Sequence, residues 1–113
     1  MEANESNIGI IQAAEQNKKF AIGYAMDQSN IGPNSVLTST MIQFPLSYGW
    51  VIDAVKNGKF DGKSRKMGLG EGVVHLAPFH GFENKVTGPM RKKLGDVKAM
   101  LIEGKLNALP KKK

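Results

Sequence analysis

The chain has 113 residues, of which 41% are hydrophobic and 23% charged, with a net charge of +6 and no cysteine. Lack of cysteine excludes a disulfide, a thiolate metal site, a Cys nucleophile and a lipid-modified Cys on these residues. No apolar run approaches the roughly 18–20 residues that cross a bilayer, and the polar, acidic stretch Met1 to Asn7 does not read as a signal peptide. The charge is uneven: residues 1–57 hold three Lys against five acids, and residues 58–113 hold thirteen Lys or Arg against five acids. The basic residues fall among helix-surface positions and in the tail Lys111-Lys112-Lys113. They are not interleaved with aromatics as in a single-strand binder, so a solvated face is preferred and nucleic acid is not an expected partner.

In chain order, Asn7 to Gln16 is predicted as a short helix, capped by Ser6 or Asn7, with Ile8, Ile10, Ile11 and Ala14 as its apolar stripe. Phe20 to Tyr24 is a short apolar run and reads as a buried strand. A loop through Asp27, Gly32, Pro33 and Asn34 leads to Val36–Met41, a β-branched, Thr-rich second strand. Pro45 suits a first helical turn, and Leu46, Trp50, Val51, Ala54 and Val55 carry helical spacing to Asn57, with Gly58 as the stop. Arg65–Leu69 and Val73–Leu76 are strand candidates around Gly70-Glu71-Gly72, a hairpin signal. Val86, Met90, Leu94, Val97 and Leu101 step by three and four, giving an amphipathic helix over Pro89–Glu103 that stops at Gly104. The expectation is a single α/β unit over residues 1–113, a sheet covered by helices, with flexible ends at 1–6 and 106–113.

Several of these segments also follow one another in a familiar order. Ala21-Ile22-Gly23-Tyr24-Ala25-Met26-Asp27-Gln28, then Gly32-Pro33-Asn34, then Val36-Leu37-Thr38-Ser39 resembles a signature of the basic membrane protein family. These are ABC-transporter substrate-binding lipoproteins that resemble purine nucleoside receptors. In that family a strand of the type Ile-Gly-Val-Asp-x-Asp-Gln leads through a Gly-Pro loop to Val-Leu-Thr-Ser. Asn57-Gly58-Lys59-Phe60, Gly68-Leu69, Gly72-Val73 and Leu76-Ala77-Pro78-Phe79 continue the likeness, which runs from about Asn7 to Gly104. The resemblance implies a periplasmic-binding-protein type I-like fold with Rossmann-like lobes, here only its C-terminal part. It implies Leu37–Thr40 as a segment crossing between lobes, and the helix from Pro45 packing on the first lobe.

Asp27 and Gln28 stand at the C-terminal end of a predicted strand, where open α/β sheets bind ligands. An Asp27 carboxylate there either accepts bonds from a sugar's hydroxyls or closes an Asx-turn in the loop. With the family resemblance, the expected ligand-binding residues are Asp27, Gln28, Thr38, Ser39, Gln43 and Phe44. Ala25 replaces the first of the family's two acids, and Ile42 stands where many nucleoside-binding members have a basic residue. Trp50 is expected to be core packing. His75 and His80 have no acid at metal-ligand spacing and read as a strand and a loop histidine.

The resemblance implies the solute-binding component of an ABC importer, or a truncated relative, with a purine nucleoside or similar heteroaromatic ligand and an ABC permease as partner. Its place would be the outer face of the cell membrane. No cofactor or metal is expected, and no enzyme activity, since no nucleophile and base stand together. The alternative is a short interaction or regulatory protein that keeps the fold and oligomerises; one branch of the family resembles a transcriptional regulator. Self-association is expected because the helix from Pro45 to Asn57 carries so much apolar surface.

Overall fold

The computed structural model describes residues 6–106, so the flexible ends expected at 1–6 and 106–113 lie almost wholly outside the described residues. Two compact units divide at Glu83 and Asn84. The first contains α1 (Asn7–Gln16), β1 (Ala21–Ala25), β2 (Val36–Ile42), α2 (Phe44–Lys56), β3 (Val74–Leu76) and a 3₁₀ turn at His80–Phe82. The second contains α3 (Gly88–Ile102). This is a small mixed α/β architecture.

The sheet has the order β1-β2-β3, with β1 and β2 parallel and β2 and β3 antiparallel. Val36–Ile42 is the central strand because its β-branched residues suit a pleated surface covered on both sides. Its parallel partner is reached through residues 26–35 without a helix. That connection is shorter than parallel pairs usually need. It is tightened by turns: Ile31 N–H donates to Gln28 C=O at 3.0 Å, and Val36 N–H to Gly32 C=O at 2.8 Å. Gly32 lies against α1, where a Cβ would stand 2.7 Å from Ile11 Cγ2. Asn34 Nδ2 donates to Glu15 Oε1 at 2.8 Å, tying the loop to the helix end.

The core is small. Ile11, Val36, Ala54, Val73, Ala77 and Phe82 are its buried apolar side chains. Phe82 meets the ring of Phe20 edge to face at 5.6 Å, a favoured aromatic geometry. Phe20 and Ile22 are nonetheless exposed and only Gly23 of β1 is buried, so the expectation of a buried strand is corrected. β1 pairs with β2 alone. An edge strand is not covered as a central one is.

The predicted hairpin does not form. Arg65–Leu69 has no strand structure, and Val74–Leu76 pairs instead with Thr40–Ile42. The stretch Ser64-Arg65-Lys66 has no alternating apolar side to bury. Gly68 N–H donates to Glu71 Oε2 at 2.7 Å, which closes a local turn in place of a ladder. Gln43 N–H donates to Val73 C=O at 2.7 Å and Ala77 N–H to Ser39 C=O at 2.8 Å, so bonding to β2 extends past both ends of β3.

α1 has its predicted bounds, but neither Ser6 nor Asn7 caps it with a side chain. Asn7 is buried and turned to Gln28 instead. α2 and α3 begin and end within a residue or two of expectation. Gly58 and Gly104 follow them at φ +64° and +69°, the left-handed region in which glycine ends a helix without strain. α2 buries only Ala54. Its outward side, formed by Phe44, Tyr48, Val51, Ile52 and Val55, is exposed. α3 buries no residue.

Candidate functional site

The C-terminal ends of β1 and β2 carry the residues on which the site was expected. Gly23 stands beside Ser39 in the parallel register. A Cβ on Gly23 would lie 2.2 Å from Ser39 Oγ and 3.0 Å from Gln28 Cβ, so the two polar side chains occupy the space that glycine leaves. Ser39 is 0% exposed, and its Oγ accepts the Gln28 backbone N–H at 3.0 Å. Gln28 Oε1 accepts from Tyr24 N–H at 2.9 Å and from the buried Asn7 amide. Thr38 Oγ1 donates to Ala77 C=O at 2.7 Å. These three polar side chains face the interior, hydrogen-bonded to the chain itself, as buried polar groups must be.

β1 ends in a strained bend. Ala25 has φ +68°, and Met26 N–H donates to Tyr24 C=O at 2.9 Å across it. A two-residue bond over a residue of positive φ is the rare form of the γ-turn. Asp27 follows. Its Oδ1 accepts Ser29 N–H at 3.0 Å, closing an Asx-turn, and its Oδ2 meets His80 Nε2 at 2.7 Å. A carboxylate only accepts, so Nε2 carries the proton. His80 is itself at φ +44°. The Asp27–His80 pair therefore links two strained segments, and both side chains remain partly exposed, at 30% and 43%.

The Ser29 backbone N–H, and after it the His80 side chain, hold the Asp27 carboxyl below its ordinary value of 3.8. A depressed carboxyl stabilises the fold above the unfolded value and stops doing so as pH falls through the folded one. Asp27→Asn is thus expected to unfold at lower urea concentration than the parent at pH 7. The difference is expected to narrow when the pH is brought well below 3.8, to about pH 2, as the lowered carboxyl begins to take up its proton in the folded state. A urea-midpoint gap equal at both pH values would refute this role.

Of the six expected ligand-binding residues, Gln28, Thr38 and Ser39 are buried and engaged, and both Asp27 oxygens have partners. Gln43 is half-buried at the end of β2, and Phe44 is exposed, stacked on Tyr48 at 6.2 Å. The strand ends bring Gln28 against Ser39, with Asp27 next to Gln28 in the chain, whereas Thr38 bonds to Ala77 and Gln43 and Phe44 lead into α2. His80 and Asn7 were missed as members of this cluster. They lie 53 and 21 positions from their partners, and no local pattern announces such contacts.

The fold and this cluster define a small α/β domain whose strand-end polar groups are tied inward. The chain belongs to the family described as ABC transporter substrate-binding protein PnrA-like, whose model matches residues 1–108. It is 34% identical, over 73 residues, to the transcriptional activator protein med of Bacillus subtilis (strain 168), covering 65% of this chain and 23% of that protein. Among solved structures it is similar to a transcriptional activator of the comK gene from Bacillus halodurans, with a TM-score of 0.75 and 25% identity. That match covers 91% of this chain and 35% of the other. The chain therefore spans about a quarter to a third of the length of these relatives.

These likenesses correct the functional expectation. Both relatives are named as transcriptional activators. The importer component, its nucleoside-like ligand and its permease partner, with the transport and lipoprotein character attached to them, no longer stand as the reading of this chain. Family membership does not by itself fix function, which depends on the site carried by the fold.

Proposed function

We propose that this chain is a regulatory protein of the transcriptional-activator kind, which keeps the family's α/β fold and works by association with other proteins. The observation that carries the reading is the likeness to activators in both sequence and structure. The inward-turned Gln28, Thr38 and Ser39 support it, because they present no row of free polar groups to a solute. Bare α2 supports it too: a helix apolar nearly all round is ordinarily covered on every side, and here Phe44, Tyr48, Val51, Ile52 and Val55 offer that cover to a partner. The same reading takes the sheet and α1 as part of a periplasmic-binding-protein type I-like lobe. No catalytic step belongs to it.

The test compares transcripts by RNA sequencing in the source organism, with and without the gene, and with the gene restored. A defined set of transcripts is expected to fall on deletion and to recover on complementation. Unchanged transcripts together with lost nucleoside uptake would overturn the reading.

A further inference from the structure

A cavity of about 290 Å³ lies on the side of α2 away from its bare apolar face. Leu46 and Trp50, one helical turn apart, form one wall, and Met67 and Val73 form another. Arg65 and Lys66 stand among the lining residues. The Arg65 guanidinium lies 4.7 Å over the Trp50 ring, and one of its nitrogens is 3.6 Å from Asp61 Oδ2. Ring and carboxylate together orient the guanidinium at the lip. A planar guanidinium so placed keeps N–H groups for a further carboxylate, in the forked geometry such pairs prefer. The acid of the lining, Glu71, is already engaged with Gly68 N–H. In sequence, the segment from Lys56 to Lys66, which supplies Arg65 and Lys66 to the lining, holds five cations and one acid, Asp61.

From this we infer that the groove is a docking site for an acidic peptide segment of a partner protein, with one large apolar side chain entering between Trp50 and Met67 and flanking carboxylates meeting Arg65 and Lys66. The inference rests on the proposed regulatory role and names the chemistry of the partner. The basic side chains of Arg65 and Lys66 select an acidic occupant, and the apolar lining selects an anchor residue, the usual centre of such contacts. A nucleic acid fits less well. Its binders present a succession of aromatics along a basic track, and this groove offers Trp50 alone.

Trp50 is the sole tryptophan of the chain and is 37% exposed, so its emission reports on the groove directly. The experiment titrates the 113-residue chain with a blocked peptide holding one Phe among glutamates. Parallel titrations use the same peptide with Phe replaced by Ala, the same peptide with lysines for glutamates, and oligodeoxythymidine. A saturable shift with the first peptide is expected, with both altered peptides about tenfold weaker or worse. Arg65→Gln, whose circular dichroism should match the parent, is expected to weaken the first peptide by about tenfold as well. No saturable response, an equal response to the lysine peptide, or preferential binding of oligodeoxythymidine would each overturn the inference. If the titration fails while deletion still lowers a defined set of transcripts, only the groove assignment falls. If the titration succeeds and no transcript changes, the groove stands and the regulatory reading falls.

Discussion

Gly23→Ala is expected to destabilise the protein by about 3 kcal/mol, the upper end of what overpacking usually costs. The new methyl would meet Ser39 Oγ at 2.2 Å, Ser39 Cβ at 2.9 Å and Gln28 Cβ at 3.0 Å. None of these is the loose end of a surface side chain. Ser39 sits on the central strand, fully buried, and Gln28 is held by bonds to Tyr24, Asn7 and Ser39. Relief therefore requires β1 to move off β2 or the polar cluster to break. For a domain of this size the loss corresponds to a fall of roughly 12–24 °C in Tm. Urea unfolding followed by far-UV circular dichroism measures it. A second substitution, Ser39→Gly, removes the nearest two atoms. Combined with Gly23→Ala it is expected to give a loss smaller than the sum of the single losses by at least about 0.5 kcal/mol, as residues in contact do. A parent-like Gly23→Ala, or strict additivity, would show that the strands do not approach as described.

Ile11→Ala is the second large effect, expected at about 3 kcal/mol, within the range for deleting a buried Ile side chain. Ile11 is 0% exposed and is among the largest fully buried side chains of a core with few of them. It joins α1 to the loop before β2, because Gly32 lies directly against it. Its loss leaves a cavity that the flanking backbone cannot fill without breaking the turns at Gly32. Ile8→Ala is the matching control. Ile8 is on the same helix but 47% exposed, and its truncation is expected to stay within about 0.5 kcal/mol of the parent. Equal losses at the two positions would mean that the helix packs by another face.

The α1 stripe illustrates how far pattern reading reaches. Spacing picked out Ile8, Ile10, Ile11 and Ala14 as one apolar side, and the helix forms over the predicted residues. Yet only Ile11 is buried among them, because a single edge of the sheet meets the helix. The apolar run at β1 shows the same limit. Its residues favour an extended chain, but burial depends on what covers the strand, and Phe20 and Ile22 are left exposed. In the candidate site, strand-end placement of Asp27 and Gln28 was legible from a strand followed by a loop. The direction of the Gln28 side chain was not, since it is set by Asn7 and Ser39 arriving from other elements.

The sequence by itself determined the helices, the two main strands, the glycine stops at Gly58 and Gly104 and the family, because each depends on local propensity, on spacing or on an ordered series of short motifs. The tertiary structure decided which strands pair, and it replaced a hairpin at Gly70-Glu71-Gly72 with β3 on β2. It also decided that Asp27 meets His80 and that Gln28, Thr38 and Ser39 turn inward. Those outcomes depend on contacts between residues far apart in the chain. Such contacts are chosen by competition for the same buried space and the same hydrogen-bond partners, which no single segment contains.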